Sequence, residues 1–312
     1  MKKITTLLGS FTILLTSGLV NAQTFTNGAG VTDVDGNVYT SVIYENNQEW
    51  LVQNLKTTKY SNGESITNFT SPSNWTTATT GGWGFPDNNS INNDPYGKLY
   101  NGIAVQDSRN LCPTDWHVPS QTEWSSLIIE LGGIDLAGGK MKVSGIDFWL
   151  APNTGATNSV GFSAYPAGGF DDLGNHEQLT TDAFWWSSTE YQAGFSWFFG
   201  LGNSHTGIGS NANGNKAGFS VRCMKNTSGA GMNEDSGLNQ IQVYPNPTDD
   251  QIQVSFKNNA LGSNFVIMDQ IGKEVIKGGI YSESMTINLE KLTQGVYFFG
   301  VENQNLVKII KK

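Results

Sequence analysis

The sequence predicts an α+β fold, a loop-rich mixed domain followed by a small all-β sandwich. Three observations carry that prediction. One stretch near residue 121 has the period of a helix, whereas the other apolar runs are short, alternate, and are broken by Gly, Asn and Ser. All nine Trp lie between residues 50 and 197. Charge divides behind them: residues 23–225 hold 9 Lys and Arg against 18 Asp and Glu, while 239–312 hold 7 of each. In a chain of 312 residues this reads as two unequal domains. With 11% aromatic and only 14% charged residues, disorder is disfavoured. A net charge of −9 offers no basic footprint for nucleic acid. Two Cys exclude a disulfide-dense miniprotein and a four-Cys zinc site.

Residues 1–22 read as a signal peptide. Met1-Lys2-Lys3 is a positive start, Ile4–Val20 is apolar, and Ala22 precedes a cleavage that leaves Gln23 as the new N-terminus. No other stretch approaches the ~18 apolar residues of a membrane span, so the chain is expected not to be transmembrane. Sec export to the periplasm is expected. In that oxidising setting Cys112 and Cys223 are expected to pair, the alternative being two free thiols.

The first domain, 31–225, opens on Asp35-Gly36 between alternating runs, which predicts a hairpin with a primed turn. Asp33 and Asp35 do not make a calcium loop, because Gly follows too early and no Glu sits at the twelfth position. Short strands follow from Val38 to Val52, with Trp50 and Leu51 buried. Ser120 and Glu123 then form a capping box. Trp124, Leu127, Ile128 and Leu131 make one apolar stripe, and Gly132-Gly133 ends the helix. Residues 23–225 hold 26 of the 37 Gly, which suits long loops. Residues 226–238, rich in Gly, Ser and Asn, read as a linker. The second domain, 239–312, shows seven alternating runs: 241–244, 252–256, 264–268, 273–276, 285–289, 296–301 and 307–310. At this spacing they read as an immunoglobulin-like sandwich.

Several stretches resemble the Fibrobacter succinogenes major paralogous domain family. They include Glu49-Trp-Leu-Val-Gln-Asn-Leu55, Tyr96-Gly-Lys-Leu-Tyr-Asn101, Leu111-Cys-Pro-Thr-Asp-Trp-His-Val-Pro-Ser120, Gly161-Phe-Ser-Ala-Tyr-Pro-Ala-Gly168, Trp186-Ser-Ser-Thr189 and Ser220-Val-Arg-Cys223. Asp115 departs from the pattern, at a position where that family often has Gly. The resemblance implies a C-type-lectin-like fold and no particular activity. The C-terminal segment resembles the sorting domain of type IX secretion in Bacteroidetes. Val243-Tyr-Pro-Asn-Pro247, Asp269-x-x-Gly-Lys-Glu-Val275, Leu292-x-x-Gly-Val-Tyr297 and Val307-Lys-Ile-Ile-Lys-Lys312 carry that likeness. It implies delivery by the type IX machinery through 239–312, with release or attachment at the outer-membrane surface. The implied signal residues are Pro245, Asn246, Pro247, Gly295, Tyr297, Lys308, Lys311 and Lys312.

The function expected is binding of a glycan or a surface protein, because aromatic faces stack on sugar C–H surfaces and amides bond hydroxyls. Candidate ligand-binding residues are Trp149, Asp171, Asp172, Trp185 and Asn203, with Trp75, Trp83 and Trp197 as further aromatic candidates. In Phe184-Trp185-Trp186 strand alternation sends one Trp inward and the other outward, and the family likeness suggests that Trp186 is the inward one. The calcium-dependent lectin signatures are absent, so no cofactor is expected and calcium lacks a motif. No Ser-His-Asp order, nucleophile elbow or phosphate loop appears, and no catalytic residue is assigned. His117 reads as a hydrogen-bonded core residue, and His176 and His205 as surface. The alternatives are a polysaccharide hydrolase using Asp171-Asp172 and a structural envelope protein.

Overall fold

The computed structural model describes residues 25–226, 241–256, 263–270, 272–282, 284–301 and 307–312. The expected signal peptide, with its expected Ala22–Gln23 cleavage, and all of the expected linker but Asn226 lie outside the described residues. The molecule is mostly β, with 39% of residues in strands and 13% in helices. Against the α+β expectation, helix among the described residues is confined to one segment of ten residues and others of five or fewer. Gly and Asn in the intervening loops give the chain no second helical stripe to bury.

The single long helix is α1, Gln121–Glu130. Ser120 Oγ accepts from Glu123 N while Glu123 Oε2 accepts from Ser120 N at 2.7 Å, the reciprocal box that the spacing predicted. Trp124, Leu127, Ile128 and Leu131 are all buried. Gly132 and Gly133 follow at φ 96° and 93°, a conformation that costs Gly nothing. The predicted hairpin near Asp35 forms, pairing Thr32 with Val38, but its turn is not primed. Only Gly36 has positive φ, and the turn is organised instead by the Asp33 carboxylate, which accepts from the amides of Asp35 and Asn37 and from the Tyr39 hydroxyl. Asp115 adopts φ 66°, which explains why Gly suits that position and why Asp is tolerated there.

Besides the two-stranded hairpin at Asp35, two larger sheets build the described residues 25–226. A five-stranded sheet runs in the order Phe25–Asn27, Ser41–Tyr44, Glu49–Leu51, Met224–Lys225, Trp116–His117. The larger sheet ends in three long antiparallel strands: β1 (Asp182–Gln192), β2 (Phe195–Gly202) and the edge strand β3 (Ile208–Gly214). β1 and β2 form a hairpin whose register pairs Phe184 with Gly200, Trp185 with Phe199 and Trp186 with Phe198. Alternation does separate Trp185 from Trp186, but neither reaches solvent: both are 0% exposed. Trp185 enters the cluster around Trp124 and Phe162, and Trp186 the cluster around Tyr100 and Phe219, because the sheet is covered on both faces.

Between these clusters lies a buried polar hub. Asn54 Oδ1 accepts from Trp185 Nε1 at 2.8 Å and from Arg222 Nη2 at 2.7 Å, while its Nδ2 donates to Tyr96 O and Ser220 Oγ. Arg222 also donates to the carbonyls of Leu51 and Phe162, and its guanidinium stacks 4.2 Å from the Phe162 ring centre. Burial lowers its pKa to about 9, so it remains a cation at neutral pH, with every bond directed at an oxygen. Cys112 and Cys223 form a disulfide with Cα atoms 5.9 Å apart, and both are fully buried.

The C-terminal residues form seven strands at the predicted places: β4 (Ile241–Tyr244), β5 (Gln251–Phe256), β6 (Asn264–Asp269), β7 (Glu274–Gly279), β8 (Ser284–Asn288), β9 (Gly295–Val301) and β10 (Val307–Lys311). They make two sheets, β4-β5-β8 and β7-β6-β9-β10. Ile252, Val254, Ile267, Leu289, Phe299 and Ile309 alternate inward to fill the space between.

Candidate functional site: a glycine-floored groove on the long hairpin

The structure removes two of the sequence candidates from any ligand surface. Trp149 and Trp185 are 0% exposed, and their indole N–H groups donate to Ala164 O and Asn54 Oδ1. A ring with no free face cannot stack on a sugar, so both are core residues. Trp75 and Trp83 are likewise buried. Asp171 is committed to its own turn, accepting from Leu173 N, from Asn175 N at 2.7 Å and from Asn175 Nδ2. Asp172 is exposed beside it. This turn is a poor hydrolytic centre, because the Asp171 oxygens are taken by donors that hold the backbone. His176 is half-buried rather than on the surface. Its ring packs 5.1 Å from Phe170, and desolvation lowers its pKa.

Asn203 has a different part. Its Nδ2 donates to Leu150 O and Ala151 O, and its carbonyl accepts from Thr154 N. Beside it the Lys142 ammonium, 0% exposed, donates to the carbonyls of Thr154, Gly202 and His205 at 2.8–3.0 Å. These bonds fasten the loop after β2 to residues 150–154. The loop in turn presents His205 at one end of a groove of about 230 Å³.

The groove runs along one face of β1, β2 and β3. Strand alternation puts Asp182 and Phe184 of β1, Phe198, Gly200 and Gly202 of β2, and Gly209 and Asn211 of β3 on that face. The glycines leave it bare. A Cβ on Gly200 would lie 2.9 Å from the Phe184 ring, and one on Gly202 would lie 2.9 Å from His205 Nε2 and 3.4 Å from Asp182 Oδ1. At Gly209 a Cβ would meet nothing within 4 Å, so this position is open floor. Phe184 and Phe198, both half-buried and edge-to-face at 5.7 Å, form an apolar wall backed by Phe219. Among the described residues, the Asp182 carboxylate, the His205 ring and the Asn211 amide N–H₂ make no hydrogen bond to the protein. The groove therefore joins an aromatic wall to polar groups with unused bonding capacity, the combination that small-molecule sites use. A readable signal was present: Phe198-x-Gly200-x-Gly202 puts two bare positions beside an aromatic on one strand face.

Residues 43–225 match the Fibrobacter succinogenes major domain, and they make up more than half of the chain. The chain belongs to that family. The stretches that carried the resemblance hold the Asn54–Arg222 hub and the disulfide of this Fibrobacter succinogenes major domain, whereas the groove residues lie between those stretches. Residues 242–312 match the secretion system C-terminal sorting domain. The chain thus carries a type IX sorting tail, which makes it an exported, cell-surface or secreted protein that engages the secretion machinery. No curated protein and no solved structure matches the chain. Among the described residues no helix is long and apolar enough to cross a membrane.

The residues implied for sorting meet around the last strand. Asn246 Nδ2 donates to Lys308 O, and its Oδ1 accepts from Ile310 N at 2.9 Å. Thr248 N donates to Ile310 O, and Lys312 N donates to Thr248 O. Gly295 pairs with Lys311 and Tyr297 with Ile309. Lys311 reaches Asp250 Oδ1 at 3.2 Å. Pro245 and Pro247 flank Asn246 at the surface, and Lys308 and Lys312 are exposed.

Proposed function

We propose that this exported protein is a glycan-binding protein whose large domain holds one sugar residue in the groove of β1, β2 and β3. The reading also takes the large domain as C-type-lectin-like, on the strength of the family resemblance, and export as passing through the periplasm. The observation that carries it is the glycine floor beside Phe184 and Phe198. A pyranose needs a flat apolar surface for its C–H face and hydrogen-bonding groups at its rim. Asp182, His205 and Asn211 supply one carboxylate, one imidazole and one amide at that rim. Asn203 and Lys142 act behind the site as positioning residues, because they fix the loop that carries His205.

The test is a blocking substitution. Gly209→Trp places an indole on open floor, where no atom has to move to accept its Cβ. Binding is measured on a glycan array and then by calorimetry with the best sugar. The expected result is at least a tenfold loss of affinity with an unchanged unfolding midpoint. Unchanged affinity in this variant overturns the assignment of the groove.

A further inference from the structure

We propose that the tip of the β1–β2 hairpin, on the face opposite the groove, is a second binding site: an aromatic platform for a neutral polysaccharide chain. Eight of the nine Trp are buried, at 6% exposure or less, and Trp197 is the one that is only half-buried. Tyr191, 54% exposed, stands edge-on to it with ring centres 5.2 Å apart. Phe195, 41% exposed, lies two residues before Trp197 on the same strand and so shares its face. Across the register, β3 offers only Ala212 opposite Trp197 and Gly214 opposite Phe195. A Cβ on Gly214 would have the Phe195 ring at 3.9 Å as its nearest neighbour. The rings thus border a flat shelf with no tall side chain to fence it.

The chemistry of this surface selects the occupant. The strand positions around Trp197 on this face carry no charge and no aliphatic side chain larger than that of Ala212. Glu190 pairs with Ser196, which belongs to the opposite face, and its Oε1 accepts from Gly194 N at 3.3 Å. A charged polymer finds no counter-charge here. A stable protein partner needs roughly 800 Å² from each side, and three partly covered rings at ~150–250 Å² each fall well short of that. A neutral sugar chain needs only ring faces for its C–H surfaces and a Tyr hydroxyl at the edge. This site shares no residue with the groove, so the two proposals fail separately.

The experiment is affinity electrophoresis of the full-length protein in gels holding hydroxyethyl cellulose, xylan, a β-1,3-glucan or galactomannan, with polygalacturonate as the charged comparison. Retardation is expected in at least one neutral gel, with apparent affinity falling at least tenfold in the double variant Tyr191→Ala, Phe195→Ala. Both side chains project from the fold, so the variant is expected to unfold at the wild-type midpoint. The same polysaccharide is expected to shield Trp emission from acrylamide, since Trp197 is the indole the quencher reaches. Migration unaltered in all four neutral gels, retardation undiminished in the variant, or quenching unaltered by the polysaccharide each overturns the proposal.

Discussion

His117 shows how one side chain can tie a helix start to the segment that follows the last strand of the large domain. Its Nε2 meets Glu123 Oε1 at 3.0 Å, and its Nδ1 meets Asn226 Oδ1 at 2.6 Å. Glu123 is also the far half of the capping box, so one carboxylate serves both the helix and the imidazole. Burial pushes the His117 pKa down, but the hydrogen bond and charge of Glu123 outweigh it, and the net shift is upward from 6.5. For Glu123, burial pushes upward, and the bonds from His117 and Ser120 bring the net shift below 4.5. The signs then fix a pH window. The histidine contribution is complete below 6.5 and is lost as pH rises through the folded pKa. The glutamate contribution is complete above 4.5 and is lost as pH falls through its folded pKa. Both are present together between about 4.5 and 6.5. The pair is part-exposed, so its worth is no more than about 1 kcal/mol. Urea midpoints of the wild type are expected to fall between pH 6 and 8, and those of His117→Gln to lose that decline. Parallel curves for the two proteins contradict the assignment.

At the scale of the element, the question is how strands with free edges avoid pairing with other chains. β3 is an edge strand of seven residues with no Lys, Glu or Pro, a composition that invites edge-to-edge association. Three of its outward amides are covered from within. Ile208 N donates to Ile134 O, Ala212 N to Asn211 Oδ1 and Gly214 N to Asn213 Oδ1, the last two at 2.8 Å. Replacing Asn211 and Asn213 together by Ala is expected to free two amides and to raise light scattering on storage or mild heating, with secondary structure unchanged. Scattering equal to the wild type would falsify that account. β10 uses the same device, with Asn246 and Thr248 filling the outer hydrogen bonds of Lys308, Ile310 and Lys312. These edges also mark the limit of what the sequence made legible. The seven sandwich strands and α1 were readable because burial on one face imposes a period. The capping box was readable because both partners lie within one turn. The Trp149 and Trp185 assignments failed because alternation reports which face a side chain takes, not whether that face is covered. The groove was missed because it depends on register: Gly200 matters only once it stands between Phe184 and Gly209.

At the scale of the whole molecule, the disulfide and the distribution of Trp combine into one measurement. Cys112 precedes α1, and Cys223 lies in the last stretch before the linker, so the bond closes a loop of 111 residues that contains the entire hairpin and its groove. Cross-linking a loop of that length removes denatured-chain entropy worth about 4–5 kcal/mol. Against the roughly 5–15 kcal/mol of a typical domain, that is a large share. The bond suits a chain that works outside the cytosol, where it persists without a reductant. The sandwich holds no Cys and no Trp, and its core draws only on residues after 240. Trp emission therefore reports the large domain alone. Replacing both Cys112 and Cys223 by Ala is expected to lower the urea midpoint read by Trp emission severely, while amide protection of β6 and β9 stays at its wild-type level. If both probes shift together, the two halves unfold as one unit. If neither shifts, loop closure is not what holds the groove-bearing domain together, and the Asn54–Arg222 hub must carry that load instead.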